Sequence, residues 1–313
     1  MTGCAGFVGS HLCEHLLSQG FDVRGVDALT DYYAPAQKQA NLETVRAHAQ
    51  AKHFQFQVLD LLKTDLKALL QDCAVVFHLA AEPGVRASWG KDFSIYVERN
   101  ILATQQLLEA AKDVRPQRIV FASSSSVYGD SPNPVNRETD RCEPFSPYGV
   151  SKLAAENLCR LYWSNWEIPT VALRYFTVFG PRQRPDMAFH RFIRAAREKK
   201  PISVFGDGMK SRDFTFVSDA VAATFAAYEK GHLGEAYNIG GGCQATVNDV
   251  VGILQKLLGQ AKIAVDYQNK IPGDVRQTRS DSSKAKRDLD FRPQVSLDVG
   301  LRAQVEWHQN VLR

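Results

Sequence analysis

Four apolar runs recur through the first 175 residues: FDVRGVDAL (21–29), AVVFHLAA (74–81), RIVFASSS (118–125) and TVALRYF (170–176). Each has strand length and is rich in β-branched or aromatic residues. Between them the apolar positions recur with helical spacing. Ser10–Gln19 places Leu12, Leu16 and Leu17 on one side, and Asn100–Lys112 does the same with Ile101, Thr104, Leu107, Leu108 and Ala111. Strands apolar enough to be buried on both faces, alternating with such helices, predict an α/β fold with a doubly wound parallel sheet. After residue 176 the regularity stops. Pro181, Pro185, Gly206, Gly208, the Gly240–Gly242 run, Pro272, Gly273 and Pro293 punctuate shorter segments. Residues 1–175 are therefore expected to form one domain. Residues 176–313 are expected to form a smaller lobe over one end of the sheet, with segments near 215–240 returning to the first domain.

Composition narrows the classes. The chain has 313 residues, 44% hydrophobic and 23% charged, which suits two lobes with a sizeable core. A net charge of +4, evenly spread, gives no basis for a nucleic-acid partner. No apolar run approaches the ~20 residues that cross a bilayer. Six cysteines without a CxxC pattern argue against structural zinc or a disulfide framework, so no metal is expected. Reduced thiols and a cytoplasmic location are expected instead.

TGCAGFVGSHL (2–12) carries Gly3, Gly6 and Gly9 at three-residue spacing before a helix. Glycines there let the backbone turn tightly and approach a pyrophosphate, whose charge sits at the helix N-terminus, as in a Rossmann-like fold. Asp27 follows Gly9 by 18 residues at the end of a predicted strand, where a carboxylate accepts from the adenosine ribose hydroxyls. It would repel a 2′-phosphate, which favours NAD over NADP. Asp60 is a candidate for the adenine amino group, or a solvated loop acid. Only Met1 precedes Thr2, so the first strand is missing from the sequence. Either the start is misassigned or truncated, or another segment substitutes.

Tyr148 and Lys152, spaced i, i+4 in SPYGVSKLAAENL, fall on one face of a helix that opens at Pro147. An ammonium beside a phenol stabilises the phenolate and suits it to act as a base. Ser123–Ser126 lies at the C-terminal end of a predicted strand, where doubly wound folds place ligands, and a serine there can hydrogen-bond the substrate hydroxyl.

The glycine loop, HLAA (78–81), ASSSSVYG (122–129), YGVSK (148–152) and RYFTVFGP (174–181) together resemble the extended short-chain dehydrogenases/reductases. The likeness continues through GDGMKSRDFTFVSD (206–219), YNIGGG (237–242) and PGDVRQTRSDSSKA (272–285). The resemblance implies a bound NAD, a nucleotide-diphosphate sugar between the lobes, and Ser124, Tyr148 and Lys152 as catalytic residues. It also implies cofactor contacts from Gly3, Gly6, Phe7, Val8, Gly9, Asp27, Asp60, Leu61, Leu79, Ala80, Ala81 and Asn100, as well as from Tyr148 and Lys152. Many members are homodimers built on a four-helix bundle, for which 100–112 and 148–163 are candidate helices.

Three branches of the family differ in chemistry. The 4,6-dehydratases carry an Asp–Glu pair where this chain has Ser125 and Ser126, and the UDP-glucuronate decarboxylases carry Glu at the position of Ser126. The 4-epimerases need neither acid. Among them RYFTVFGPRQRPDMAFHRF (174–192) is most similar to enzymes of UDP-glucuronate, with Thr177 where UDP-glucose enzymes have Asn. An arginine fork suits a C6 carboxylate, which points to Arg184, assisted by Ser125, Ser126 and Thr177. The resemblance puts Phe205 beside the uracil and Arg212 and Arg276 near the diphosphate. Ile271 departs from an Arg found there in some 4-epimerases. The expected activity is interconversion of UDP-glucuronate and UDP-galacturonate. A UDP-glucose 4-epimerase, a UDP-glucuronate decarboxylase and a catalytically silent NAD-binding protein are the alternatives.

Overall fold

The parallel sheet forms around the slot where the first strand is expected. In the computed structural model, residues 1–269 and 273–311 are described. The first part of the chain runs α1 (Phe7–Ser18), β1 (Val23–Asp27), α2 (Pro35–Arg46), β2 (Phe54–Val58), α3 (Leu66–Leu70) and β3 (Val75–His78). It continues through α4 (Phe93–Tyr96), α5 (Ala103–Val114), β4 (Arg118–Ser124), α6 (Pro147–Trp166) and β5 (Thr170–Tyr175). The helix expected from Asn100 starts as a wider π-helical stretch, Val97–Leu102, before α5.

Met1–Gly3 fill the first-strand slot. Thr2 bridges in parallel to Val26 of β1 and to His78 of β3. The N–H of Thr2 donates to Phe77 O at 3.0 Å, and the N–H of Val26 donates to Met1 O at 2.9 Å. A strand reduced to this bridge still pairs with both neighbours, so no other segment substitutes for it. The side chain helps: Thr2 Oγ1 lies 2.8 Å from His78 Nδ1 and accepts from Ala80 N at 3.1 Å.

The second part runs β6 (Val178–Phe179), α7 (Ala188–Arg197), β7 (Ile202–Phe205), β8 (Ser211–Phe216), α8 (Val217–Lys230) and β9 (Ala236–Ile239). Then follow β10 (Cys243–Thr246), α9 (Val247–Leu257), β11 (Val265–Gln268), α10 (Ser283–Asp288) and α11 (Leu297–Val311). β9 pairs in parallel with β5, and α8 packs on α1, so 217–239 complete the large sheet. Its order is β2, β1, Met1–Gly3, β3, β4, β5, β9. One face buries Leu12, Leu16, Leu17, Val221 and Ala223, and the other buries Leu107, Leu108, Ala155 and Cys159.

The chain after β5 is more ordered than its punctuation predicts. β10 pairs antiparallel and β6 parallel with β8, while β11 pairs in parallel with β7. Phe189, Phe192, Ile193 and Ala196 of α7 bury one helical face against Val250, Leu254, Leu301 and Val305. Strands of two to six residues are too short to show a period of their own in sequence. No helix among the described residues is long and apolar enough to cross a membrane.

Candidate active site

The carboxyl ends of the parallel strands open on a cavity of ≈ 410 Å³, at the position where open α/β sheets bind ligands. The glycine loop forms its floor. A Cβ on Gly9 would overlap Gly3 O, and Gly3 itself has φ +70°, with Ala80 N only 2.8 Å from where its Cβ would sit. Helix α1 starts at Gly6 with no side-chain cap and no acidic residue in its first turn. Its N-terminal N–H groups and dipole are thus presented to an anion. Phe7, Val8, Leu61, Leu79, Ala80 and Ala81 line the same cavity.

Asp27 also lines it, at the end of β1. Its carboxylate accepts from Ala5 N at 3.2 Å and Leu29 N at 2.8 Å, and the buried Lys38 ammonium stands 3.9 Å away. Asp60 faces the cavity while capping the next turn, accepting from Leu62 N at 3.0 Å. Asn100 lies behind the wall. It accepts from Glu82 N at 2.7 Å and donates to Ser151 Oγ at 2.9 Å, which ties the loop after β3 to α6.

Helix α6 positions the catalytic candidates. Ser146 caps it by accepting from Gly149 N at 3.1 Å, with Pro147 in the first turn. Gly149 leaves room for Ser126 O, which a Cβ would meet at 2.5 Å, so the serine turn after β4 packs against the helix start. Tyr148, Lys152, Ser124, Ser125 and Ser126 all border the cavity. Burial pushes the Tyr148 phenol above its ordinary value, while a hydrogen bond with Ser124 and the Arg184 guanidinium pull it down. Burial lowers Lys152 to about 8, against the opposing influence of Cys159 and Glu156. Its ammonium lies 4.5 Å from the Phe121 ring centroid. The nearby groups that favour phenolate are therefore Ser124 and Arg184, with Lys152 one turn further along the helix.

Thr177 and Arg184, from the chain after β5, also line the cavity. Arg184 donates from Nε and Nη2 to the two oxygens of Asp186, each at 3.0 Å. Phe205, Arg212 and Arg276 stand outside this lining, with Arg212 Nη1 3.5 Å from Arg276 O. Arg212 donates to Asp274 at 2.5 Å, and Arg276 Nε to Asp130 at 3.0 Å. Two residues there escaped the sequence reading. Arg86 stacks on the Phe205 ring at 4.3 Å, and Arg191 reaches it at 5.8 Å. Burial lowers the Arg86 pKa; Asp274 opposes this, and Arg191 and Arg212 push it further down, so three guanidiniums share one neighbourhood. The one available signal was the place of Arg86 in the loop beyond HLAA, at a strand's carboxyl end. Ile271 lies outside the described residues. Among the described residues no cluster of three or more metal-ligating side chains occurs.

Comparison with known proteins agrees with this geometry. The model of the NAD dependent epimerase/dehydratase family matches residues 1–240. Over 309 residues the chain is 46% identical to a Bacillus subtilis (strain 168) protein named as an uncharacterized UDP-glucose epimerase, YtcB, covering 98% of this chain and 96% of that one. It is 38% identical to the UDP-glucuronate 4-epimerase of Thermodesulfobacterium geofontis (strain OPF15), over 98% of this chain and 94% of the relative. The crystal structure of UDP-glucuronic acid 4-epimerase from Bacillus cereus, in complex with UDP-glucuronic acid and NAD, matches at TM-score 0.95 and 46% identity. That match covers 99% of this chain and 98% of the other.

Proposed function

The chain belongs to the NAD-dependent epimerase/dehydratase family, and on that premise we propose that it inverts C4 of a UDP-hexuronic acid, interconverting UDP-glucuronate and UDP-galacturonate. The observation that carries the choice of substrate is Arg184, half-buried at the cavity wall and facing the same space as Tyr148 and the serine turn. A C6 carboxylate gives the edge of that guanidinium not taken by Asp186 a bidentate, charged partner, which a neutral hydroxymethyl group does not. UDP-glucose is the second reading, favoured by the name of the B. subtilis relative.

The cavity suits NAD. The cradle between Gly3 and Gly9 leaves backbone room for a pyrophosphate at the uncapped start of α1, and Asp27 and Asp60 stand at the adenosine end. When bound, NAD supplies a reversible acceptor for the C4 hydrogen. The chain's own residues do the rest. Tyr148 takes the C4 hydroxyl proton and returns it after the sugar has turned, and Ser124 holds the hydroxyl and the phenol in line. Lys152, one turn along α6 from the base, adds a positive charge to the site and would contact the cofactor. Asn100 supports the cofactor wall through Glu82. Arg184 grips the C6 carboxylate, with Ser125, Ser126 and Thr177 as further donors. Phe205 faces the uracil, while Arg212 and Arg276, joined by Arg86 and Arg191, offset the diphosphate charge.

The grip on the carboxylate protects the intermediate. A 4-keto uronic acid is a β-keto acid, and it loses CO2 when the C5–C6 bond aligns with the carbonyl π system. Holding the carboxylate out of that alignment, with Ser126 where decarboxylases carry Glu, keeps the carbon skeleton whole. The protein acts in the cytoplasm, where its six free cysteines stay reduced. It works as a homodimer through the exposed face of 97–114 and α6, which presents Val97, Leu102, Val150 and Leu161.

Purified protein is offered UDP-glucuronate and UDP-glucose separately, alongside Tyr148→Phe. The wild type is expected to convert the uronate in strong preference, and the variant to bind NAD and sugar nucleotide without turnover. Equal conversion of both sugars overturns the substrate choice. More than about a tenth of wild-type kcat in the variant, a loss below ~1.4 kcal/mol, overturns the base assignment.

A further inference from the structure

We propose that Asp186 and Tyr32 are positioning residues that fix the plane of the Arg184 guanidinium, so that its Nη1–Nη2 edge alone reads the substrate carboxylate. This rests on the reading of Arg184 as the carboxylate contact. A guanidinium has two usable forks, one along Nε and a terminal nitrogen, the other across both terminal nitrogens. Asp186 occupies the first, accepting from Nε and Nη2 at 3.0 Å each. The second fork is left for a bidentate partner, in a plane set by Asp186.

Asp186 is itself held from the other domain. The Tyr32 hydroxyl, on the loop after β1, donates to Asp186 Oδ2 at 3.3 Å, and the Arg184 guanidinium carbon lies 5.9 Å from the Tyr32 ring centroid. Burial and the Asp186 charge keep the phenol well above its ordinary pKa, so it remains a donor. Tyr32 has a made seat: Gly84, at φ +99°, has no Cβ to overlap its hydroxyl. The loop bearing that glycine is braced by Tyr96, whose hydroxyl donates to Pro83 O at 2.8 Å and whose ring meets Tyr148 edge-on at 6.3 Å. The loop that leaves Asp27, the wall beside Tyr148 and the carboxylate-reading arginine are thus joined through Tyr32 and Asp186.

The consequence is a partition. In the 4-keto intermediate, decarboxylation breaks the C5–C6 bond, its electron pair becomes the C4 enolate, and CO2 leaves. A proton from water at C5 then gives a 4-keto pentose. A guanidinium free to rotate lets the carboxylate reach the alignment this requires. A fixed one does not.

The test uses the NAD-loaded enzyme with UDP-glucuronate, comparing wild type, Asp186→Asn, Tyr32→Phe and Arg184→Ala. Read out are kcat, KM and the fraction of product recovered by mass spectrometry as UDP-4-keto-pentose or, where the hydride taken from C4 has been returned to that ketone, as UDP-pentose. Asp186→Asn is expected to raise KM about threefold to tenfold and to raise the pentose fraction at least threefold. Tyr32→Phe is expected to move both in the same direction by less. A residue that merely supports the fold would lower melting temperature or kcat without moving the partition, and that result overturns the proposal. Should Asp186→Asn fold poorly, Tyr32→Phe carries the test alone, because the hydroxyl is lost and the ring kept. If Arg184→Ala shifts KM and partition while the other two leave both unchanged, the positioning role fails and the carboxylate reading stands. If Arg184→Ala changes neither, both fall.

Discussion

Arg174 and Arg184 both fork onto a carboxylate, yet they serve opposite ends. Arg174 on β5 meets Glu156 on α6 in the interior, each only 6% exposed. Its remaining nitrogen donates to the Tyr128 hydroxyl at 2.7 Å, that hydroxyl donates to Asn238 at 2.7 Å, and Ser123 donates to Glu156 at 2.5 Å. The network uses its charges up within the protein. Arg184 and Asp186 lie on one loop with side chains 21% and 34% exposed, and Arg184 borders the cavity. The same ion pair thus locks the sheet to α6 where it is buried and reads an anion where an edge is left open. Burial, more than residue type, decides which arginine is scaffold and which is tool.

Breaking the buried pair should have the largest effect. Glu156→Gln leaves Arg174 charged and underpaired, and is expected to lower unfolding free energy by about 3–5 kcal/mol in urea titration. A loss under ~1 kcal/mol would mean that the network is dispensable. Arg184→Ala should leave stability almost unchanged and cost about 1.5–3 kcal/mol in uronate binding, seen as a KM raised roughly tenfold to a hundredfold. Lys at that position should rescue only part, because a point charge lacks the planar fork.

His308 extends the comparison to a buried group without a partner. Its ring is fully buried, and among the described residues neither ring nitrogen has a hydrogen-bond partner. Burial lowers its pKa to about 3, helped by His190 and Arg197. The unfolded chain, with an ordinary His value near 6.5, binds a proton that the folded state refuses between those limits. Stability is therefore whole above about pH 6.5 and falls as pH drops toward 3. By pH 5 this one group accounts for roughly 2 kcal/mol. His308→Leu should remove that part of the acid slope in denaturant curves taken at pH 7 and pH 5, and an unaltered slope would refute the assignment. The smallest effect belongs to Arg276, whose side chain is mostly exposed beside Asp130. Arg276→Ala should change stability by less than ~1 kcal/mol.

Which features were legible in the sequence follows from how local they are. The glycine cradle, the Tyr148–Lys152 spacing and the serine turn each lie within one short segment, so their geometry is written in their spacing. The burial pattern of β4 and β5 could be read for the same reason, as a continuous apolar run. Thr2 could not, because a strand reduced to one bridge leaves no pattern. Nor could Arg86, Arg191, Tyr32 and Asp186. Their meaning arises where loops and helix α7 from distant parts of the chain converge, and a lone Arg, Tyr or Asp carries no period. The sequence points to Asn100 as a cofactor contact, whereas the side chain is buried outside the cavity lining, bonded to Glu82 and Ser151. Depth of this kind is a tertiary property.

If C4 is transiently oxidised and the same hydrogen returns, an isotope placed at C4 stays with the sugar. UDP-glucuronate labelled with deuterium at C4 is incubated with the NAD-loaded enzyme in ordinary water, and the UDP-galacturonate formed is examined by NMR. Full retention of deuterium at C4 is expected, with none exchanged in at C4 when the experiment is repeated with unlabelled sugar in D2O. Loss of the C4 label to solvent, or solvent deuterium entering C4, would overturn transient oxidation with return of the same hydrogen.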